Sequence, residues 1–233
     1  MFDEIITKLE HVPPKMLKRL LSGIIWEGTP ESGAMAVTFD DGPDPDVTPA
    51  VLDACDKGGI RGTFFMLGEN AARNPVIAKE TAGRGHCIGN HSMTHRKLFL
   101  VKRQDVEDEI DAAQEIISDT TGVAPKWFRP PYGIFDYTCA NVVRKRGLSM
   151  VLWTVLSGDY SDDSPERIMK TVKPFIRPGS IVVFHDTLQG GGAALPDLIR
   201  EIAELAQHRN IRLTGIDELS VSPDIALDKS EDE

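Results

Sequence analysis

The chain has 233 residues, 41% of them hydrophobic and 27% charged. That is the balance of a soluble globular protein able to bury a core without disulfide or metal staples, and it excludes a low-complexity or rod-like chain. Twenty-six basic against thirty-six acidic residues leave a formal charge of −10, which makes nucleic acid and other polyanions poor partners.

At the N-terminus, Asp3 and Glu4 stand where a signal peptide would carry basic residues, so a cytoplasmic location is expected. Phe2, Ile5, Ile6 and Leu9 fall on one helical face, predicting a helical segment within residues 1–32 that packs on the domain. Leu20–Trp26 is too short to span a bilayer, and no transmembrane segment is expected. From there strands and helices alternate. Strands are predicted at Ala34–Phe39, Gly62–Leu67, His86–Asn90, Lys126–Arg129, Leu148–Val155, Ser180–Phe184 and Ile211–Thr214. Between them lie helices near Val47–Lys57, Asn74–Gly83, Gln104–Thr121, Tyr137–Arg146, Pro165–Ile176 and Ala194–His208. The basic run Arg144-Lys145-Arg146 sits at a helix end, where it suits the dipole. Cys55, Cys87 and Cys139 are widely spaced with no C-x-x-C pair, and read as buried free thiols, which fits a reducing compartment but equally a secreted chain of this size without bridges. Residues 33–222 are read as one domain and 223–233 as an acidic tail.

This alternation requires parallel pairing with right-handed crossovers, and predicts a distorted (β/α)7–8 barrel in the α/β class. An open doubly wound sheet is the alternative. In either architecture functional residues gather where strands end. Five predicted ends carry unusual polar groups: Asp40-Asp41-Gly42-Pro43, Asn90-His91-Ser92-Met93-Thr94-His95, Arg129-Pro130-Pro131-Tyr132-Gly133, Ser157-Gly158-Asp159-Tyr160 and His185-Asp186.

His91 and His95 have the i, i+4 spacing that turns two imidazoles to one side of a helical turn. A carboxylate from another strand end would complete a three-ligand site with an open fourth position, the arrangement of catalytic zinc. Asp40 and Asp41 should diverge on an extended backbone, one free to ligate and the other to stand beside water, with a cation such as Arg129 nearby. His185 emerges from the apolar run Ile181–Phe184, and a carboxylate such as Asp159 would raise its basicity. Trp127, Tyr132 and Tyr160 are the aromatic positions that could line a sugar platform.

Taken together, T-F-D-D-G-P at 38–43, H-S-M-T-H at 91–95, R-P-P-Y at 129–132 and F-H-D at 184–186 resemble the motifs of the polysaccharide deacetylases. This is the NodB-homology domain, or carbohydrate esterase family 4. Their order and spacing match over about residues 33–220. The resemblance implies a distorted barrel and a metal-dependent hydrolase that removes N-acetyl groups from N-acetylglucosamine-containing glycans. It further implies a divalent ion, most often Zn2+, with Co2+, Ni2+, Mn2+ or Fe2+ as alternatives, on Asp41, His91 and His95. Asp40 would be the general base held by Arg129, and His185 the general acid tuned by Asp159. The Tyr132 N–H would serve the oxyanion, while Pro131, Tyr132, Tyr160 and Val183 would contact substrate. Tyr160, Leu156 and Val183 depart from the family pattern, which usually has Trp, an acidic residue and Leu at those places. Other readings remain at this stage: a non-haem iron oxygenase, an aspartate-nucleophile phosphatase, a non-catalytic carbohydrate-binding relative, and a hydrolase of cyclic amides or acetyl esters.

Overall fold

The computed structural model describes residues 23–161 and 164–219, with Pro13 and Leu21. The helix expected around Phe2–Leu9 and the tail 223–233 lie outside the described residues. Eight parallel strands form one curled sheet in the order β5-β4-β3-β2-β1-β7-β6, with β8 also pairing β1. They are β1 (Ala34–Asp40), β2 (Thr63–Met66), β3 (Cys87–Asn90), β4 (Trp127–Phe128), β5 (Ser149–Met150), β6 (Val155–Leu156), β7 (Ile181–His185) and β8 (Arg212–Thr214). The connecting helices are α1 (Thr48–Gly58), α2 (Gly68–Arg73), α3 (Pro75–Gly83), α4 (Arg103–Thr121), α5 (Tyr137–Lys145), α6 (Pro165–Val172) and α7 (Leu195–His208). None of the described helices is long and apolar enough to cross a membrane.

The central strand β1 is buried along its whole length, and its two-residue period sorts side chains between two cores. Met35, Val37 and Phe39 join the large cluster beneath α1 and α7, while Ala34 and Ala36 join the barrel interior with Phe65, Val151 and Ile181. The small interior residues leave room for polar groups further along the same face. Thr38 and Asp40 continue that face, both buried. On the outside, Val106, Ile110, Ala113 and Ile117 form the buried stripe of α4 at helical spacing. Gly122, with φ 73, ends that helix, its N–H donating to the Ser118 carbonyl.

Two elements differ from the sequence expectation. The stretch Leu148–Val155, expected as one strand, is split into β5 and β6, which lie at opposite ends of the sheet order. β5 pairs with β4 and β6 with β7, so this single segment bridges the gap where the curl closes. Ile25 fills the gap: its N–H donates to the Met150 carbonyl at 2.9 Å and its carbonyl accepts from Leu152 N–H at 2.7 Å. A hydrophobic run carries no signal of changing partners midway, which is why the split is invisible locally. The second difference is α2, a six-residue helix separated from α3 at Asn74, ahead of Pro75.

His86 precedes β3 and lies at the entry end of the barrel, away from the strand ends that carry the other histidines. It is buried, and its Nδ1 accepts from the Gly62 N–H at 3.1 Å. Burial lowers its pKa to about 4, so it remains a neutral core histidine. Cys55, Cys87 and Cys139 are buried thiols.

Candidate active site

Parallel register places Asp40 beside His185, the last residues of β1 and β7. Both follow interior-facing residues at two-residue intervals, so both point into the open end of the barrel. Beneath them Arg129, one residue past β4, is wholly enclosed. Its Nη1 donates to Asp40 Oδ1 at 2.6 Å and to Thr38 Oγ1 at 2.8 Å. Nη2 donates to the Leu152 carbonyl at 3.1 Å, Nε to the Val151 carbonyl at 3.3 Å, and the guanidinium lies 4.0 Å from the Phe65 ring centroid. Burial lowers the Arg129 pKa and the Asp40 charge opposes that shift. A guanidinium nevertheless stays charged in a protein, so this is a buried ion pair whose donors are spent on named acceptors.

Asp41 does not diverge from Asp40 as an extended backbone would require. Its φ of 75 turns the chain, and both carboxylates face His91: Asp41 Oδ1 lies 3.4 Å and Asp40 Oδ2 4.0 Å from its Nε2. Asp186, fully buried behind the turn, accepts from the Gly42 N–H at 3.2 Å and from Thr48 Oγ1 at 2.6 Å. A Cβ at position 42 would collide with the Asp186 carboxylate, which is why this turn takes glycine. Burial, together with the charge of Asp41, raises the Asp186 pKa to about 8.

The two histidines do not share a helical turn. They are joined by an irregular loop in which Ser92 (φ 72) and His95 (φ 60) adopt left-handed conformations. His95 Nε2 lies 3.1 Å from Asp41 Oδ1. Ligand atoms of Asp41, His91 and His95 all fall within 4.8 Å of one another, the one such group among the described residues.

The chemistry of this donor set fits a cation. His91 Nδ1 is 2.7 Å from the Arg129 carbonyl, which can only accept, so Nδ1 carries the proton and the neutral ring presents the Nε2 lone pair to Asp41. Asp41 Oδ1 is buried without a hydrogen-bond partner. Burial lowers the His95 pKa, favouring the neutral form that ligation needs. Three electron-pair donors facing one another across 3–4 Å repel unless something positive lies between them.

Across the cleft His185 Nδ1 is 2.8 Å from Asp159 Oδ1, and its backbone N–H donates to Asp159 Oδ2 at 2.7 Å. Ser157 Oγ donates to the same carboxylate at 2.8 Å. Burial disfavours a charged His185 ring, but the hydrogen bond and charge of Asp159, with the charges of Asp40 and Asp41, raise its pKa to about 9. A cleft of about 390 Å3 opens between the two halves, lined by Asp40, Asp41, His95, Tyr132, Tyr160 and His185. Pro131 and Val183 are buried and do not line it. Trp127 packs against the barrel interior instead, and Trp153 is the tryptophan on the cleft wall, packed over Gly133. Leu156 shares that wall, while Thr187, Gln189 and Gly190 from the loop after β7 form the rim. Gly133 closes the strand-end motif read from the sequence, whereas Trp153 and this rim are not singled out there. The one signal for them was proximity to strand ends.

Four similarities to known proteins accompany this geometry. The polysaccharide deacetylase family profile matches residues 27–151. A peptidoglycan-N-acetylglucosamine deacetylase of Bacillus cereus is 35% identical over 181 residues, covering 76% of this chain and 66% of the relative's own length. A chitooligosaccharide deacetylase of a Bradyrhizobium species is 37% identical over 158 residues, covering 66% of this chain and 72% of that relative. In three dimensions the chain is similar to the Bc1960 peptidoglycan N-acetylglucosamine deacetylase, with a TM-score of 0.83 and 30% identity over 90% of this chain and 98% of that one.

Proposed function

Since the chain belongs to the polysaccharide deacetylase family, we propose that it hydrolyses the N-acetyl amide of N-acetylglucosamine units in a glycan and releases acetate. Peptidoglycan and chitooligosaccharide, the substrates in the relatives' names, are the substrate classes proposed. The observation that carries this reading is the meeting of Asp41, His91 and His95 beside an Asp40 held by a buried arginine. Asp41, His91 and His95 would hold a divalent cation, and two nitrogens with one carboxylate suit Zn2+. When bound, such an ion supplies Lewis acidity: it polarises a carbonyl and lowers the pKa of water towards ~7.

The remaining chemistry falls to side chains. Arg129 fixes Asp40 through Oδ1, which leaves Oδ2 to take the proton of the attacking water. The Tyr132 N–H donates to the oxyanion as the carbonyl becomes tetrahedral. His185, its Nδ1 held by Asp159, presents Nε2 to the amide nitrogen and protonates it as the C–N bond breaks. Trp153, Leu156 and Tyr160 form an apolar wall for the acetyl methyl and the sugar face.

The direct test is acetate release from N-acetylglucosamine oligomers and from peptidoglycan, before and after chelation and after Zn2+ is restored. Release should cease with chelator and return with the ion. Release indifferent to the chelator, or none from either glycan by protein with bound Zn2+, would overturn the reading. His185 has its own prediction. Its raised pKa keeps the acid form populated at neutral pH, and that form is lost as pH rises through about 9. Positive charge nearby lowers this value, so the alkaline limb of kcat/KM should lie at or below about pH 9. His185→Ala should lose the limb and slow amide hydrolysis by ~10²–10⁴. Activated acetate esters, whose leaving groups need no proton, should be slowed far less. Equal losses on both substrate types would remove His185 from the acid role.

A further inference from the structure

The loop that carries the two histidine ligands leaves its backbone polar groups to be satisfied from outside. Its carbonyls are covered by α2: Gly68 N–H donates to Ser92 O at 3.0 Å and Glu69 N–H to Met93 O at 3.1 Å. Its N–H groups are covered differently. Ser92 N–H donates to Asn90 Oδ1 at 2.9 Å, and Asn90 is itself tied to α4 through Ile110 O at 3.1 Å and Gln114 Oε1 at 3.0 Å. The next two N–H groups converge on one side chain of α4. Glu109 Oε2 accepts from Met93 N–H at 3.1 Å and from Thr94 N–H at 2.9 Å, while Oε1 accepts from Thr94 Oγ1 at 2.6 Å. Two left-handed residues, Ser92 and His95, lie within this short loop, a strained backbone that persists only where its surroundings over-determine it.

We propose that Glu109 is a positioning residue of the cation site. By gathering both N–H groups and the Thr94 hydroxyl onto one carboxylate, it holds the turn that places His91 Nε2 and His95 Nε2 against Asp41. Glu109 touches neither ligand ring in the contacts described and acts through the backbone between them. This rests on Asp41, His91 and His95 being the cation site, and that premise is tested separately by whether the parent protein binds one equivalent of Zn2+.

The test compares Zn2+ affinity, by competition with a chromophoric chelator, and the visible spectrum of bound Co2+ in three variants. Glu109→Ala removes all three acceptor contacts and should weaken Zn2+ binding by ~10–100-fold, with altered Co2+ bands. Glu109→Gln drops the charge but keeps an oxygen for both N–H groups and an amide to donate to Thr94 Oγ1. It should stay within about threefold of the parent. Glu109→Asp keeps the charge on a side chain one methylene too short, and should bind as weakly as Ala. It also decides the matter if the alanine variant does not fold. Parent-like affinity in Glu109→Ala or Glu109→Asp overturns the proposal. So does a Gln variant as weak as the alanine one, which would assign the effect to charge rather than placement.

Discussion

Asp40→Asn is expected to lower acetate release by about 10³-fold while leaving Zn2+ affinity within a few-fold of the parent. The substitution is nearly isosteric, and its amide oxygen can still accept from Arg129 Nη1, which lies 2.6 Å from Asp40 Oδ1. What disappears is an oxygen that can take up a proton, the property a general base requires. Asp41, His91 and His95 supply the clustered ligand atoms, so the cation has no reason to leave. Turnover on an N-acetylglucosamine oligomer and Zn2+ competition titration, on the same preparation, separate the two effects. Full activity in Asp40→Asn would mean that the base lies elsewhere.

Arg129→Met should be the most destabilising of the simple changes at this site. It removes one partner of an ion pair in which neither side chain is more than 5% exposed. It also strips the donor from Thr38 Oγ1 and from the Val151 and Leu152 carbonyls. An uncompensated charge left in such a place costs roughly 3–5 kcal/mol, a large part of the ~5–15 kcal/mol that holds a domain folded. Urea unfolding should therefore show a clearly lowered midpoint. The double variant Asp40→Asn with Arg129→Met removes the stranded carboxylate as well, so it should recover part of the loss. A cost below about 1 kcal/mol in Arg129→Met, or no recovery in the double variant, would show that the pair is not what holds this end of the barrel.

The buried pair also explains why Asp40, the proposed base, sits so deep. Small residues at Ala34 and Ala36 and the hydroxyl of Thr38 leave interior space that Arg129 fills, with its plane over Phe65. The charge that orients Asp40 is thus supplied from below, and the open side of the carboxylate is kept for the substrate. His185 is held in the opposite sense, from the side by Asp159 and the Ser157 hydroxyl. Asp159 favours the protonated His185 ring, while Arg129 holds Asp40 through one oxygen and leaves the other free, the division of roles that an acid–base pair needs.

Much of this was legible in the residues alone. The alternation of strands and helices predicted the parallel sheet, and strand-end positions singled out Asp40, Asp41, His91, His95, Arg129, Asp159 and His185. Both depend on local periods and turn chemistry, which a sequence carries explicitly. Three features were decided only by the tertiary structure. The run Leu148–Val155 serves both edges of the sheet because the curl must close. The histidine pair meets through a left-handed loop rather than a helical turn because α2 and α4 hold it from two sides. Asp41 turns back towards Asp40 because the glycine that follows it is gripped by Asp186, 144 positions beyond that glycine. In each case the deciding contact joins segments far apart in the chain, and the distance between such segments is set by packing around a common core, which no local pattern encodes.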